Sequence, residues 1–247
     1  MPDPIFDEPR LAAVYDALDP DRSDLDVYVA LVVDELGARS VLDVGCGTGT
    51  FAIMLAERGL DVVGVDPARA SVDVARAKPG AERVRWVDGD ATTVPELLPD
   101  LTVDAATMTA NVAQVFTSDD DWVATLAGIH RALRPGGHLV FEARRPEVRA
   151  WEAWTPEATH QIVDCGPAGL VEDWTEILSY ADGVLEFSSP TVFHADGVRI
   201  ESTSRLRFRT REEVEASLVE TGYVVRDVRD APDRPGREWV YVAQRPE

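Results

Sequence analysis

The stretch Val41-Leu42-Asp43-Val44-Gly45-Cys46-Gly47-Thr48-Gly49 constrains the fold more than any other part of the chain. A short apolar run enters a loop with glycine at every second position, and Phe51, Ile53, Met54 and Leu55 then suit a helix closing near Gly59. A strand that runs into a glycine loop and a helix opens a parallel sheet, because parallel neighbours can be joined only by a crossover. The unit repeats: Val62 to Val65 reads as a strand, residues 70–78 as a helix, Val84 to Val87 as a strand and Val103 to Met108 as another. Ser118 followed by Asp121 is a capping-box variant, and Trp122, Leu126, Ile129 and Leu133 share the buried face of the helix it opens. Pro135-Gly136-Gly137 stops that helix, and His138 to Glu142 is a fifth strand. This alternation predicts an α/β chain with a mostly parallel sheet covered on both faces.

The flanks differ in texture. Leu25, Tyr28, Val29, Val32, Val33 and Leu36 recur at helical spacing behind Ser23 as N-cap, which predicts an amphipathic helix over 24–36. From about 160 to 208 the apolar period drops toward two, punctuated by Asp182-Gly183 and Asp196-Gly197. Such pairs between strand-like runs mark hairpins and predict an antiparallel meander. Thr210 with Glu213 then makes a capping box for a helix ending at Gly222, and Tyr223 to Val228 and Trp239 to Val242 supply two closing strands. The expected architecture is one domain over 1–247, a doubly wound, mostly parallel seven-stranded, Rossmann-like sheet. Its parts are a helical cap over 1–36, a core over 37–145, an antiparallel β insertion over 146–208, and a closing helix with two strands over 209–247.

Composition narrows the partners. The 247 residues carry 24 basic and 45 acidic side chains, a net charge of −21. A chain so anionic is repelled by a phosphate backbone, so no nucleic-acid partner is expected. Residues 1–40 hold ten of the acids against Arg10, Arg22 and Arg39. The sequence offers no apolar run long enough for a membrane span and no basic start for a signal peptide, so no membrane partner and a cytoplasmic location are expected. Two scattered cysteines, Cys46 and Cys165, suggest neither a disulfide framework nor a metal site.

In an open parallel sheet, ligands bind beyond the carboxyl ends of the strands where strand order reverses, and the first glycine loop normally lies there. Gly45, Gly47 and Gly49 permit close backbone approach to a ligand, and the next helix offers free N–H groups. Asp66 follows Gly45 by 21 residues, near the spacing at which a carboxylate accepts from both hydroxyls of an adenosine ribose. The pair indicates a nucleoside ligand, the plainer alternative being a glycine turn beside a surface aspartate. A dinucleotide fingerprint needs its third glycine where Thr50 stands, so the match to NAD or FAD is poor.

Val41 to Gly49 resembles the first motif of class I S-adenosylmethionine-dependent methyltransferases of the small-molecule type. Val65-Asp66 resembles their ribose-binding acid, Gly89-Asp90-Ala91 their adenine-contacting motif, and Leu133 to Gly137 their turn into strand five. The motifs cover about residues 20–145, and the inserted sheet resembles the one these enzymes place after strand five. The resemblance implies S-adenosyl-L-methionine as cofactor and S-adenosyl-L-homocysteine as product. It implies that Gly45, Cys46 and Gly47 pack on the methionine and ribose, with Asp43 supporting the loop. Asp66 would hold the ribose hydroxyls, Asp90 and Ala91 the adenine, and the main chain at Met108 the ammonium. Tyr15 resembles a tyrosine folded over the methionine end, or else a core residue of an amphipathic helix.

Substrate residues are less defined. Trp151, Trp154 and Tyr180 in the insertion suit an aromatic pocket for a small-molecule methyl acceptor, although the core of a small sheet predicts the same residues. Asn111, the only asparagine, sits in the loop after strand four, and Arg144 leaves strand five where it could bind a substrate carboxylate. His160 and His194 are the candidate general bases, needed only if the acceptor arrives protonated. The leading expectation is in-line methyl transfer to N, O or C of a small or medium acceptor. The alternatives are a non-methylating relative that binds the same ligand, and an NAD-dependent oxidoreductase. An exposed edge of the inserted sheet leaves monomer and homodimer both open.

Overall fold

The computed structural model describes residues 2–247. At the front, helices α1 (Pro4–Asp7), α2 (Pro9–Leu18) and α3 (Asp26–Ala30) precede β1 (Ser40–Val44). Then follow α4 (Thr50–Glu57), β2 (Asp61–Asp66), α5 (Arg69–Ala77), β3 (Val84–Asp88), α6 (Val94–Leu97), β4 (Val103–Met108), α7 (Asp119–Ala132) and β5 (Leu133–Arg144). After α8 (Pro156–Thr159) come β6 (Gln161–Asp164), β7 (Leu170–Asp173), β8 (Glu176–Ala181), β9 (Val184–Phe193) and β10 (Val198–Arg207). The chain closes with α9 (Arg211–Glu220), β11 (Val224–Asp230) and β12 (Glu238–Gln244).

The main sheet has seven strands in the order β11-β12-β5-β4-β1-β2-β3, parallel from β5 to β3, with β12 antiparallel to β5 and β11 antiparallel to β12. The chain travels outward from β1 to β3 and then crosses back to β4 on the other side of β1, so strand order reverses between β1 and β4. Ligands of open sheets bind at such a point. Helices cover both faces. On one, Leu42, Val65, Ala106, Met108 and Phe141 pack against Trp122, Leu126 and Ile129 of α7 and Val214 and Leu218 of α9. On the other, Val41, Val62, Ala105, Val140 and Val242 pack against Tyr28 and Val29 of α3 and Phe51, Ala52 and Leu55 of α4. Each large apolar side chain taken out of water contributes roughly 1.5–3 kcal/mol, and Trp122 also donates its indole N–H to Ser217 Oγ at 2.8 Å.

The capping signals act as read: Ser118 Oγ accepts from Asp121 N–H, and Thr210 with Glu213 makes both bonds of its box. Three expectations need correction. The stretch over 24–36 is a 3-10 turn (Ser23–Leu25), α3 and a π turn (Leu31–Glu35), and Ser23 makes no capping bond. Strand β5 begins at Leu133, because Leu133 pairs with Val103 before the glycine turn and His138 pairs with Ala105 after it. Gly136 enters that turn at φ +77° and donates to Arg245 O, so the turn is stitched to the C-terminal strand. The insertion is an antiparallel sheet ordered β10-β9-β7-β6 with β8 also on β9, so β7 and β8 share one edge of β9. Its Asp182-Gly183 turn has φ +52° and +75°, the geometry of a two-residue hairpin. Leu11 and Val14 of α2 pack on Val171 and Phe193 and tie the front segment to this sheet. Among the described residues, no helix is long and apolar enough to cross a membrane.

Candidate functional site

The glycine loop owes its shape to its neighbours. Gly45 and Cys46 donate to Val65 O, which clamps the loop to β2. A side chain at Gly45 would meet Val112 Cγ2 at 2.6 Å, and one at Gly49 would meet Trp86 Cη2 at 2.5 Å. Both positions are therefore closed to larger residues by packing as well as by their positive φ. Nothing lies within 4 Å of the corresponding point at Gly47.

Asp66 ends β2 and fixes the loop tip: Oδ2 accepts from Gly47 N–H at 2.8 Å and Oδ1 from Ala68 N–H at 2.7 Å. Burial raises its pKa, although both bonds favour the ionised form. Asp43 is 1% exposed; Oδ1 accepts from the Thr107 hydroxyl at 2.9 Å, while Oδ2 has no partner. Burial and the charge of Asp66 push its pKa up to about 7, against the bond from Thr107. A buried acceptor without a donor is costly unless a ligand supplies one.

These residues border a cavity of about 750 Å³ that opens at the carboxyl ends of β1 and β4. Asp43, Gly45, Cys46, Gly47, Asp66, Asp90 and Ala91 all line it, as does Tyr15. Asp90 Oδ1 accepts from Thr92 N–H, the Thr92 hydroxyl and Thr93 N–H, an Asx turn that leads into the short helix α6. Ala91 stays close to α7 because position 128 is glycine: a Cβ there would lie 2.1 Å from Ala91 O. The front segment roofs the cavity. Phe6 stands 5.8 Å from Tyr15 between ring centroids, Ser71 donates to Phe6 O at 2.6 Å, and Thr48 donates to Asp16 at 2.6 Å. Ile5 N–H bonds Ser202 Oγ on β10, so the roof joins loop, α5 and inserted sheet.

Other candidate residues lie elsewhere. Met108 is fully buried in the core, and Thr109 and Ala110, the first two residues beyond the strand, border the cavity in its place. Asn111 does not line the cavity; its N–H and side chain face Glu142 and Glu238. Arg144 stands behind the wall, 3.0 Å from Gln114 Oε1 and 3.6 Å from Glu238, and its guanidinium covers the Trp154 ring. Trp151 is 3% exposed and packs with Phe208 and Leu185 in the small sheet's own core rather than on the cavity wall, and the exposed Tyr180 stacks on it, also away from the cavity. Trp154 leans on Phe187 in the same cluster. His160 and His194 share Glu172, at 2.8 and 2.9 Å, on the exposed inserted sheet and not on the cavity. From the insertion the cavity takes Glu186, Thr203 and Arg205 instead, which strand alternation alone does not single out. Among the described residues no three His, Cys, Asp or Glu side chains are grouped to hold a metal ion.

Residues 41–137 match a family described as a methyltransferase domain. The cypemycin N-terminal methyltransferase of a Streptomyces species is 37% identical over 149 residues, 59% of each chain. The demethylmenaquinone methyltransferase of Deinococcus radiodurans is 42% identical over 107 residues, 42% of each chain. The chain thus spans only about half the length of these curated relatives. Among solved structures, an S-adenosylmethionine-dependent methyltransferase from Clostridium acetobutylicum superposes with a TM-score of 0.75 at 16% identity, covering 96% of this chain and 98% of its own. A sugar N-methyltransferase from a Streptoalloteichus species also gives 0.75 at 23% identity, covering 94% and 91%. The matched segment holds the glycine loop, Asp66 and Asp90, and the likeness in fold extends over the front segment, the inserted sheet and the closing strands. Residues 41–137 therefore match a methyltransferase domain, and the fold of nearly the whole chain is the one seen in solved S-adenosylmethionine-dependent methyltransferases.

Proposed function

We propose that this chain transfers the methyl group of S-adenosylmethionine to a small or medium organic acceptor. The observation that carries the reading is Asp43 Oδ2, a buried acceptor without a donor in the cavity wall beside the glycine loop. The cofactor's donors match it. Its ammonium and sulfonium suit a wall of carboxylates and carbonyls, whereas a pyrophosphate would meet Asp43 and Asp66 as like charges.

In this reading Asp66, already held by two backbone N–H groups, accepts from the ribose hydroxyls through its remaining lone pairs. Asp90, whose carboxylate bonds all fall on Oδ1, keeps Oδ2 for the adenine amino group, with Ala91 N–H beside it. Thr109 and Ala110 offer main-chain carbonyls on the side where Met108 was expected. When bound, S-adenosylmethionine supplies a methyl group activated by the positive charge on sulfur. The protein's part is alignment and water exclusion: Tyr15 and Phe6 close the cavity over the reacting centre, and an in-line displacement needs little else. The named relatives act on an N-terminus, a quinone and a sugar, which supports an organic acceptor and leaves the methylated atom to experiment.

The test is incubation with methyl-labelled S-adenosylmethionine and a panel of amines, phenols, alcohols and carboxylates. Label is expected on at least one acceptor with S-adenosylhomocysteine released in equal amount. Binding of NADH with none of S-adenosylhomocysteine contradicts the reading.

A further inference from the structure

The inserted sheet ends on β10, whose outer edge carries no strand: the order is β10-β9-β7-β6, and β8 joins the far edge of β9. β10 pairs with β9 without interruption from Val198 with Phe193 to Arg207 with Val184, and Phe208 just beyond donates to Gly183 O at 2.7 Å. Bonded positions alternate in an antiparallel pair, so the even-numbered residues of β10 bond β9 and the odd-numbered ones turn N–H and C=O away from it. Arg207 fits this parity, since its O accepts from Gln114 Nε2 at 3.4 Å outside the sheet. Thr203 and Arg205 therefore each present an N–H and a C=O at the free edge, about 7 Å apart along the strand. Among the described residues no hydrogen bond reaches those groups from beyond the sheet. Both residues are exposed, and both line the cavity.

This edge leads to the glycine loop. β10 runs toward Arg207, and Gln114, which bonds it, closes the turn Val112–Gln114. Val112 lines the cavity and is the side chain packed against Gly45. A chain added antiparallel to β10, the more stable pairing, would lie with its first residue at the Arg207 end, toward that loop. Charge favours a cation there. Of the lining side chains to which cofactor binding gives no task, Asp3, Asp121 and Glu186 stand against Arg22 and Arg205. Arg22 is already bonded to Asp24 at 3.4 Å, and Arg205 lies 3.7 Å from Glu186. Asp3 and Asp121 are left to attract a positive group.

We propose that the methyl acceptor is the N-terminal amine of a peptide laid as an added strand along β10, bonded to the outward N–H and C=O groups of Thr203 and Arg205. The inference rests on the methyl-transfer reading and adds the substrate class. Main-chain bonds of this kind hold an extended peptide whatever its side chains, which then select among sequences by the pockets they meet. The α-ammonium gives one proton to water, which its ordinary pKa of about 8 permits near neutrality without a base from the protein. The freed pair on nitrogen forms the new N–C bond as the methyl C–S bond breaks; the C–S pair stays on sulfur as a neutral thioether, and nitrogen carries the positive charge. A lysine side chain, with an ordinary pKa of about 10.4, stays protonated and is passed over.

The experiment titrates the full chain, saturated with S-adenosylhomocysteine, by calorimetry with tetra-alanine amide and with two isomers in which an ester replaces the amide N–H of the second or of the third residue. Successive N–H groups of an extended chain point to opposite sides, so one isomer is expected to bind at least tenfold more weakly than the all-amide peptide and the other within threefold of it. Thr203→Pro removes an outward N–H and no ladder bond, a place where an edge strand accepts proline. It is expected to lower peptide affinity at least tenfold with S-adenosylhomocysteine affinity within twofold of the parent, and the isomer comparison decides if this variant does not fold. With methyl-labelled S-adenosylmethionine the peptide takes label on its α-nitrogen and its N-acetyl form takes none. The proposal is overturned if the peptide does not bind, if both isomers bind alike, if Thr203→Pro keeps the affinity, or if the acetylated peptide is labelled equally. It is also overturned if the protein sediments as a dimer that Thr203→Pro dissociates, which would assign the edge to a second copy of the chain. Failure of S-adenosylhomocysteine to bind the parent protein instead overturns the methyl-transfer reading.

Discussion

Gly128→Ala is an informative perturbation because helix propensity and packing predict opposite signs. Position 128 is a buried site within the fourteen-residue helix α7, where alanine in place of glycine would ordinarily stabilise by about 0.8–1 kcal/mol. The added Cβ, however, would stand 2.1 Å from Ala91 O and 2.7 Å from Ala91 C, whereas real Cβ contacts essentially never fall below 3.0 Å. Helix and loop must separate by about 0.9 Å, backbone against backbone, with no flexible side chain to absorb the change. Overpacking of this kind costs about 1–3 kcal/mol, so the net effect is a loss of up to about 2 kcal/mol. For a chain of this size that lowers Tm by up to roughly 4–8 °C. Because Asp90 and Ala91 line the cavity, displacement of their loop is also expected to weaken S-adenosylhomocysteine binding about tenfold, roughly 1.4 kcal/mol. Thermal melting and calorimetry on the purified variant read both quantities. A raised Tm with unchanged affinity would refute the packing argument and show that the loop does not depend on α7.

Two further outcomes follow from the charges. Glu142 and Asp43 have folded pKa values of about 8 and 7, raised above their unfolded values by burial, so the folded state binds more protons and loses stability as pH rises toward those values. His130 and His138, lowered by burial, act in the opposite sense only below their ordinary value of 6.5, so the window from pH 6.5 to 8 isolates the acids. Ligand-free protein should lose about 1.4 kcal/mol per pH unit there from Glu142 alone, and Glu142→Gln should flatten the slope; a flat or rising curve in the parent contradicts the assignment. The double change His160→Gln with His194→Gln should leave methyl transfer within twofold, since both rings bond Glu172 outside the cavity; a hundredfold loss would return them to the chemistry.

Physical reasons separate what the sequence made legible from what it did not. The central strands were readable because burial on both faces requires continuous apolar runs, and the loop was readable because Gly45 and Gly49 are held by contacts no larger residue tolerates. Asp66 could be singled out by its spacing from that loop, and Asp90 by the resemblance of Gly89-Asp90-Ala91 to an adenine-contacting motif; both line the cavity. The inserted sheet's hairpins were marked by Asp-Gly turns, but the direction of its aromatics was not. Trp151, which stacks with the exposed Tyr180 at 4.7 Å, is taken up by the small sheet's own core. Met108 was one residue short of the cavity, and strand periodicity alone does not show where a strand ends and its loop turns inward. Glu142 follows an apolar run and is read as part of a strand. Only the pairing of β4 with β5 and β5 with β12 brings it beside Thr109 and Glu238's neighbours. Gly128 appears as an ordinary helix residue until Ala91 is placed against it.

In the proposed function, Asp66 and the glycine loop form a site for the adenosine of S-adenosylmethionine. Calorimetric titration of S-adenosylhomocysteine into the parent protein and into Asp66→Ala tests it most directly. Saturable binding to the parent and a loss of about tenfold to a hundredfold in the variant are predicted, the worth of charge-assisted hydrogen bonds of about 1.5–3 kcal/mol. Equal affinity in the two proteins, or no binding to the parent, would contradict the claim.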